Sequence, residues 1–183
     1  MEKIHGIISI NKPFGITSTQ AVREIKRSSK QEKVGHSGTL DPTAVGVLPI
    51  CIGQGTRVVE NIMEFKKEYI GTIRFGISTD SFDSMGTILK ISNINNISKK
   101  IIEENLKNFH GEIKQTPPMF SALKNKGKRL YDIARSGKSI HLTPRNVSVS
   151  KIKLIERNPP NAKIFVQCSK GFYMRSLAQD LGS

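Results

Sequence analysis

The 183-residue sequence has no tryptophan, two cysteines and few acidic residues for its size. Fifteen aspartates and glutamates stand against 29 lysines and arginines, which gives a formal net charge of +14 at pH 7. So large an excess of one sign predicts a polyanionic partner. Hydrophobic residues make up 37% of the chain, and with glycine included this approaches the share in globular proteins. The chain is therefore predicted to fold into a basic domain rather than to remain disordered.

Long apolar runs are also missing. No stretch approaches the roughly 20 consecutive apolar residues of a membrane-spanning helix, and the N-terminal segment has no long apolar run with a small-residue cleavage site. Cys51 and Cys168 each lie in an apolar run, with no second cysteine or histidine at the spacing of a metal site. These features predict a cytoplasmic protein with two buried free thiols.

The motifs of several enzyme classes are absent as well. Neither Gly-x-x-x-x-Gly-Lys-Ser/Thr nor Gly-x-Gly-x-x-Gly occurs, which excludes the usual P-loop and dinucleotide-binding fingerprints. The histidines are scattered singly along the chain, at His5, His36, His110 and His141. A metal-free mechanism is therefore favoured, and the positive charge does not indicate ATP binding.

Apolar periodicity and turn residues predict alternating strands and helices. Strands are expected at Ile4–Ile10, Val47–Ile52, Tyr69–Ile77, Gly86–Ser92, Val147–Glu156 and Ile164–Ser169. Helices are expected with Thr17 or Ser18, Thr56 and Ser98 as caps, and a fourth helix after Gly171. The strand from Tyr69 has apolar residues on both faces, which predicts a central position in its sheet. In the strand from Val147 the apolar positions shift from odd to even numbers, which indicates a β-bulge. The order of elements predicts an α/β (α+β) fold with a mixed, mostly antiparallel sheet flanked by helices.

Two segments could carry function. In the loop GHSGTLDP, residues 35–42, Asp41 is the single carboxylate between Glu32 and Glu60. From the residues alone it is either a turn or helix-cap residue or a reactive group in an ordered polar loop. The segment from Pro117 to Arg145, here called the basic arm, carries seven basic residues and one acid, Asp132. This composition favours contact with a polyanion.

Four blocks of the sequence together resemble the TruB family of tRNA pseudouridine synthases: KVGHSGTLDPTAVGVLPICIG, KEYIGTIRFGISTDSFDSMG, QTPPMFSALKNKGKRLYDIARSG and CSKGFYMRSLAQDLG. The blocks occur in the family's order and spread over most of the chain. The resemblance implies a pseudouridine synthase fold and the isomerisation of a T-loop uridine of tRNA to pseudouridine, without cofactor or metal. Because the reacting atoms are hidden in a stacked loop, the target base is expected to flip out.

The resemblance also implies three catalytic residues. Asp41 matches the family's essential aspartate, the nucleophile, and attack on the ribose and attack on the base both remain open. Tyr69 matches the tyrosine that packs against the target base and is placed to help in proton removal; without the resemblance it is a core aromatic. Arg175 matches the arginine that pairs with the catalytic aspartate and keeps it charged; the alternative is a solvated charge on a helix face.

The resemblance also implies a set of RNA-binding residues. His36 matches a histidine that fills the space left by the flipped uridine. Lys12 matches a basic position near the cleft, where a phosphate contact and a solvated lysine fit equally well. The basic arm matches the family's RNA-gripping insertion, about 117–145, with Lys124, Lys126, Lys128, Arg129 and Tyr131 as candidates. Asp80 and Asp83 are interpreted as ordering the turn TDSFD. The expected partner is the T stem-loop of tRNA.

The family continues past DLG with a further strand and usually a small C-terminal RNA-binding domain. Residues 1–183 are therefore expected to form a monomeric catalytic domain that is incomplete at its C-terminus and carries the basic arm. Two alternatives stay open: a non-catalytic RNA-binding or RNA-folding protein of the same fold, and a guide-RNA-dependent relative in a multi-protein particle. Intact Asp41, Tyr69 and Arg175 argue against the first, and the absence of long basic extensions argues against the second.

Overall fold

The computed structural model describes residues 3–125, 127–138 and 140–183 of the chain. Its contacts divide the chain into two compact units, Met1–Phe65 and Lys66–Ser183. Every strand pairing in the described residues is antiparallel, which confirms the predicted, mostly antiparallel α/β architecture. None of the helices in these ranges is long and apolar enough to cross a membrane.

The elements of the first unit are β1 Gly6–Lys12, α1 Ser18–Ser29, β2 Val34–His36, β3 Gly46–Ile52, a 3₁₀ helix Gly53–Val58 and α2 Val59–Met63. The strands form a three-stranded sheet in the order β1–β3–β2, with helix α1 packed against it. Of the two predicted caps of α1, Thr17 is the one observed: its hydroxyl accepts the Gln20 N–H at 3.1 Å while the Gln20 side chain accepts the Thr17 N–H at 2.7 Å. This reciprocal pair is a capping box, which fixes the start of the helix.

The core of the first unit lies between α1 and β3. It consists of Ala21, Leu48, Ile50 and Ile52. The prediction that Thr56 caps a helix was wrong: the 3₁₀ helix begins at Gly53, and the Thr56 hydroxyl donates to the Gly53 carbonyl at 2.8 Å. Strand β2 was not predicted, because three residues around Gly35 are too short to show an alternating pattern.

The elements of the second unit are β4 Lys67–Arg74, β5 Ile77–Thr79, β6 Ile88–Ile91, α3 Lys99–Leu106 with a 3₁₀ turn Lys107–Phe109, β7 Gly111–Gln115, β8 Lys124–Asn125, β9 Lys128–Arg129, α4 Leu130–Arg135, β10 Arg145–Asn158, β11 Asn161–Cys168 and α5 Met174–Gly182. This unit is built on a four-stranded sheet in the order β4–β11–β10–β7. Ser98 caps α3 as predicted, accepting the Ile101 N–H at 3.2 Å. The β10–β11 pairing shifts register between Val149 and Lys151, where the bulge was predicted.

Strand β11 forms the middle of the second core. Its alternate residues are buried there with side chains of α3 and α5: Ala162, Ile164, Val166 and Cys168 with Ile102, Leu106 and Leu177. The prediction of a central position for the strand from Tyr69 was wrong. Among the described strands β4 pairs with β11 alone, and Ile70 on its outer face is 66% exposed. The apolar residues on the second face of β4 are therefore not core residues of this sheet.

Cys51 and Cys168 are buried free thiols, as predicted. Burial raises the pKa of both thiols, and it raises that of Cys168 to about 12 against the opposing charge of Lys67. Both side chains therefore stay protonated at neutral pH and act as small apolar residues of the core.

The basic arm leaves the sheet at the end of β7 and returns at the start of β10. Gln115 and Arg145, the residues at these two points, are register partners. Between them the arm contains the short hairpin β8–β9 and helix α4. Lys126, one of its RNA-binding candidates, lies outside the described residues.

Candidate functional site

The loop of Asp41 is held on both sides by hydrogen bonds. Leu40 donates its N–H to the Ser18 hydroxyl at 2.9 Å, and this hydroxyl lies 3.2 Å from the Leu40 carbonyl oxygen. On the other side, Gly15 donates its N–H to the Pro42 carbonyl at 2.8 Å. The start of α1 and the turn after β1 thus hold both neighbours of Asp41. They fix the backbone from which its half-buried carboxylate projects.

Lys12 ends β1 and has no exposed surface, so the alternative of a solvated lysine was wrong. Its ammonium donates to the carbonyls of Pro13 at 2.9 Å and Ile16 at 2.7 Å. Burial lowers the pKa of Lys12, and the charge of Asp41 opposes that shift. Lys12 therefore closes the turn that carries Gly15 and interacts electrostatically with Asp41. Because Lys12 has no exposed surface, its ammonium is not accessible to a phosphate in this conformation.

Lys12→Met is expected to lower the free energy of unfolding by about 2 kcal/mol, because two carbonyls lose a charged donor while methionine still fills the space. The relief of a buried charge offsets part of the loss. Urea unfolding followed by circular dichroism measures the change. The exposed Lys33→Met serves as the matched control and is expected to alter stability by less than about 0.5 kcal/mol. Equal stabilities of the two variants would show that the Lys12 ammonium does not support the turn.

His36 ends β2 and is the register partner of Ile50 in the central strand. Its Nδ1 is buried and has no hydrogen-bond partner among the described residues. Burial lowers the pKa of His36 below its ordinary value, and a weaker interaction with the backbone of Gly38 opposes the shift. The imidazole is therefore neutral at pH 7, so any contact of His36 with RNA would rest on shape and stacking rather than on charge.

The lowered pKa of His36 makes stability depend on pH. In acid the unfolded chain takes up a proton on this residue before the native chain does, so stability falls as the pH drops through and below 6.5, the ordinary pKa of histidine. The melting temperature of His36→Gln is expected to fall less between pH 7.5 and pH 5 than that of the wild type. The exposed His110→Gln, as control, should keep the wild-type slope. Parallel curves for all three proteins would contradict this assignment.

Tyr69 lies on β4, paired in register with Val166, and packs half-buried against the core. Gly71, two residues on and on the same face, meets α5 closely: a Cβ atom at Gly71 would lie 2.5 Å from Cε of Met174. A side chain at this position would require the flexible end of the Met174 side chain to move. Strand β4 and helix α5 thus place Tyr69 and Arg175 on two directly packed elements.

Arg175 is the second residue of α5, and its side chain is only 11% exposed. The alternative of a solvated charge was therefore wrong. Its Nη1 donates to the Ser81 carbonyl at 3.3 Å and lies 3.7 Å from the Asp83 carboxylate. That carboxylate also accepts the Ser81 hydroxyl at 2.6 Å and the Met85 N–H at 2.9 Å. Asp83 orders the turn, as predicted, and in addition forms a largely buried ion pair with Arg175.

The described part of the basic arm concentrates positive charge. Lys124 and Arg129 are cross-strand partners in β8–β9, and both are exposed together with Lys128. Like charges placed opposite each other destabilise a free hairpin, and a polyanion would relieve that repulsion. Two guanidinium groups lie near the Tyr131 ring, that of Arg129 at 5.7 Å and that of Arg135 at 5.5 Å from the ring centre. Arg135 was not among the predicted RNA-binding residues.

The structure thus groups the predicted residues within each unit. Lys12 and Asp41 interact in the first, and in the second Tyr69 and Arg175 share a packed pair of elements. Sequence reasoning missed the part played by Ser18, which bonds to a residue 22 positions away. No group of three or more His, Cys, Asp or Glu side chains that could hold a metal ion occurs in the part of the chain that the structure describes.

Comparison with known proteins identifies the family. A model of the N-terminal domain of the TruB family pseudouridylate synthases matches residues 26–174. The chain belongs to this family. Relatives named tRNA pseudouridine synthase B extend the match: that of Francisella philomiragia is 45% identical over 180 residues, 98% of this chain and 60% of the relative. That of Clostridium acetobutylicum is 47% identical over 178 residues, 97% of this chain and 61% of the relative. The chain spans about three fifths of the length of these relatives.

Solved structures of the same fold are also similar. A Cbf5-Nop10-Gar1 complex contains a chain that matches with a TM-score of 0.70 and 31% identity, over 97% of this chain and 43% of that one. An H/ACA RNP bound to a substrate RNA containing 2'-deoxyuridine matches with a TM-score of 0.68 and 27% identity, over 97% and 42%. With the family match, these likenesses confirm the predicted pseudouridine synthase fold.

Proposed function

We propose that this protein is a tRNA pseudouridine synthase that converts a T-loop uridine of tRNA to pseudouridine. The observation that carries the proposal is the loop of Asp41, whose carboxylate projects from a backbone held by Ser18 and Gly15 and interacts with the buried charge of Lys12. A carboxylate fixed in this way suits a nucleophile. Membership of the family and the long match to proteins named tRNA pseudouridine synthase B support the proposal.

The proposed reaction is an isomerisation, so no atom is gained or lost. The bond between uracil N1 and ribose C1′ breaks, the base turns, and a bond forms between C5 and C1′. The proton at C5 leaves, and another is taken up at N1. Because nothing is oxidised or reduced, the reaction needs no redox cofactor, and the family resemblance implies that it proceeds without a metal.

Three side chains act on the uridine in this proposal. Asp41 is the nucleophile, at the ribose or at the base. The ring of Tyr69 packs against the uracil and assists removal of the C5 proton. The guanidinium of Arg175 favours the ionised form of the attacking carboxylate.

We propose that the basic arm grips the T stem-loop. Lys124, Lys128 and Arg129 contact phosphates, and Tyr131 offers a stacking surface; Lys126 is proposed for the same role on sequence grounds. Flipping the uridine costs a few kcal/mol of unstacking, and His36 offsets part of this cost by filling the space that the base leaves. The protein acts as a monomer in the cytoplasm, a reducing compartment in which its free thiols persist.

Release of tritium tests the proposed activity. The chain is incubated with a T-arm transcript labelled at C5 of uridine, and release is expected in proportion to the target uridine. Tight, salt-dependent RNA binding without release would favour the RNA-binding or RNA-folding alternative. Absence of both binding and release would reject the two functions together.

The triple variant Lys124→Gln, Lys128→Gln, Arg129→Gln is expected to bind T-arm RNA more weakly and with less salt dependence. Each lost phosphate contact flattens the plot of log affinity against log salt by about 0.7 to 0.9, so the slope should fall by about 2 to 3. The control removes three charges from α3 and its 3₁₀ turn: Lys99→Gln, Lys100→Gln and Lys107→Gln. An equal change of slope in both variants would mean that the arm does not hold the RNA.

A further inference from the structure

Gln115 stands where the basic arm leaves the sheet. It is the last residue of β7, and its register partner Arg145 is the first residue of β10, where the arm returns. These two residues form the stem of the arm. The side chain of Gln115 is only 2% exposed, and a buried amide needs hydrogen-bond partners inside the protein. The identity of those partners shows what the stem is attached to.

The partners belong to one residue at the start of α5. Gln115 Oε1 accepts the backbone N–H of Tyr173 at 2.8 Å, and its Nε2 donates to the carbonyl of the same residue at 3.0 Å. Beside this pair, the Ser176 hydroxyl donates to the Thr116 carbonyl at 2.7 Å. Three hydrogen bonds thus join Gln115 and the next residue, Thr116, to the start of α5 across 58 and 60 residues of sequence.

These bonds lie on either side of Arg175. Tyr173 is the N-cap residue of α5 and Ser176 belongs to its first turn, so Arg175 projects from a helix end that is held at both flanks. The side chain of Tyr173 makes no cap hydrogen bond. Gln115 therefore takes over part of what a cap does, by holding the backbone at the point where the helix begins.

We propose that Gln115 is a positioning residue that couples the basic arm to Arg175. RNA gripped by the arm fixes its stem, and the stem fixes the start of α5 through the amide of Gln115. This inference rests on the proposed function, because it takes the arm to bind RNA and Arg175 to act on the uridine. Gln115 itself does not touch the substrate, since both ends of its buried amide are engaged by Tyr173.

Gln115→Met tests the coupling, because methionine keeps the length of the side chain but cannot form either hydrogen bond. The single-turnover rate constant at saturating T-arm RNA should fall about tenfold or more, while the dissociation constant of the RNA stays within about twofold. Gln115→Glu keeps the acceptor for the Tyr173 N–H but not the donor to its carbonyl, and an intermediate loss is expected. The control is Gln167→Met, which removes a glutamine that donates to Glu68 at 2.7 Å on the same sheet.

A double-mutant cycle separates positioning from a general loss of structure. If Gln115 acts through Arg175, then Gln115→Met should cost much less in an Arg175→Lys background than in the wild type. An equal loss in both backgrounds would overturn the proposal. The proposal would also be overturned if Gln115→Met weakened only RNA affinity, or if Gln167→Met lowered the rate constant by the same factor.

Hydrogen exchange measures the coupling without turnover. T-arm RNA should slow exchange of the Tyr173 amide and the first turn of α5 in the wild type, and should leave them unchanged in Gln115→Met although the RNA still binds. The coupling would be overturned if RNA gave no protection in the wild type, or if it protected the wild type and Gln115→Met equally. If the exchange difference is found but no tritium is released, the coupling stands and the proposed enzymatic function fails.

Discussion

Asp41→Asn is expected to abolish tritium release from C5-labelled T-arm RNA, with a fall in the single-turnover rate constant of about 10⁴-fold or more. The amide has nearly the shape of the carboxylate, and the loop remains held by Ser18 and Gly15. What disappears is the negative charge and with it the nucleophile. Asp41→Glu restores the charge but moves it by one methylene group, so a loss of about 10²-fold is expected there.

Two controls make the result specific to Asp41. Glu32→Gln removes an exposed carboxylate shortly before β2 and should leave the rate unchanged. RNA affinity of Asp41→Asn should remain close to the wild-type value, which shows that the loss lies in the chemical step. Because Asp41 supports the charge of Lys12, the variant is expected to be somewhat less stable, and assays are run well below its melting temperature. Release by Asp41→Asn at the wild-type rate would rule out its proposed role.

Arg175→Lys is expected to lower the single-turnover rate constant by about 10²-fold or more, with little change in RNA affinity. Lysine keeps the positive charge but loses the planar group that contacts the Ser81 carbonyl and the Asp83 carboxylate. The position of the charge is then no longer fixed by these two partners. Arg175→Met should cost more, because it also leaves the mostly buried Asp83 carboxylate without this cation.

Arg74→Lys, at an exposed arginine that ends β4, serves as the control and should retain the wild-type rate. Asp83→Asn provides an independent check, because it removes the charged partner while Arg175 stays in place. A loss of activity smaller than that of Arg175→Lys is expected for it. If Arg175→Lys turned over at the wild-type rate, the guanidinium would have no special part in the reaction.

Elements with strong apolar periodicity could be predicted from the sequence. Helices α1 and α3 were found with their caps, Thr17 and Ser98, because a cap is a local signal that precedes a regular apolar stripe. The bulge of β10 could also be predicted, since a change of parity in the apolar residues is itself local. Strand β2 was missed because it is short, and the place of β4 in its sheet was wrong because strand order depends on which other strand fills the core better.

The candidate site, too, could be predicted only in part from the sequence. Asp41 stands out in the sequence as an isolated acid in an ordered loop. The contacts that hold the site in place could not be predicted, because each joins residues that are far apart in the sequence. Ser18 and Leu40 are 22 residues apart, Gln115 and Tyr173 are 58 apart, and Ser81 and Arg175 are 94 apart. The burial of Lys12 could not be predicted from the sequence either, because a lysine in a turn-rich segment is most often solvated.

The shielded amine of Lys12 also provides a chemical label for the opening of the first unit. An acylating reagent modifies exposed lysines such as Lys33 directly, but it reaches Lys12 only when the turn after β1 opens and both carbonyls release the ammonium. The ratio of the two acylation rates, measured by mass spectrometry, therefore reports the free energy of that local opening. Because the same turn holds Pro42 through Gly15, the Lys12 rate follows the order of the Asp41 loop without any mutation in it.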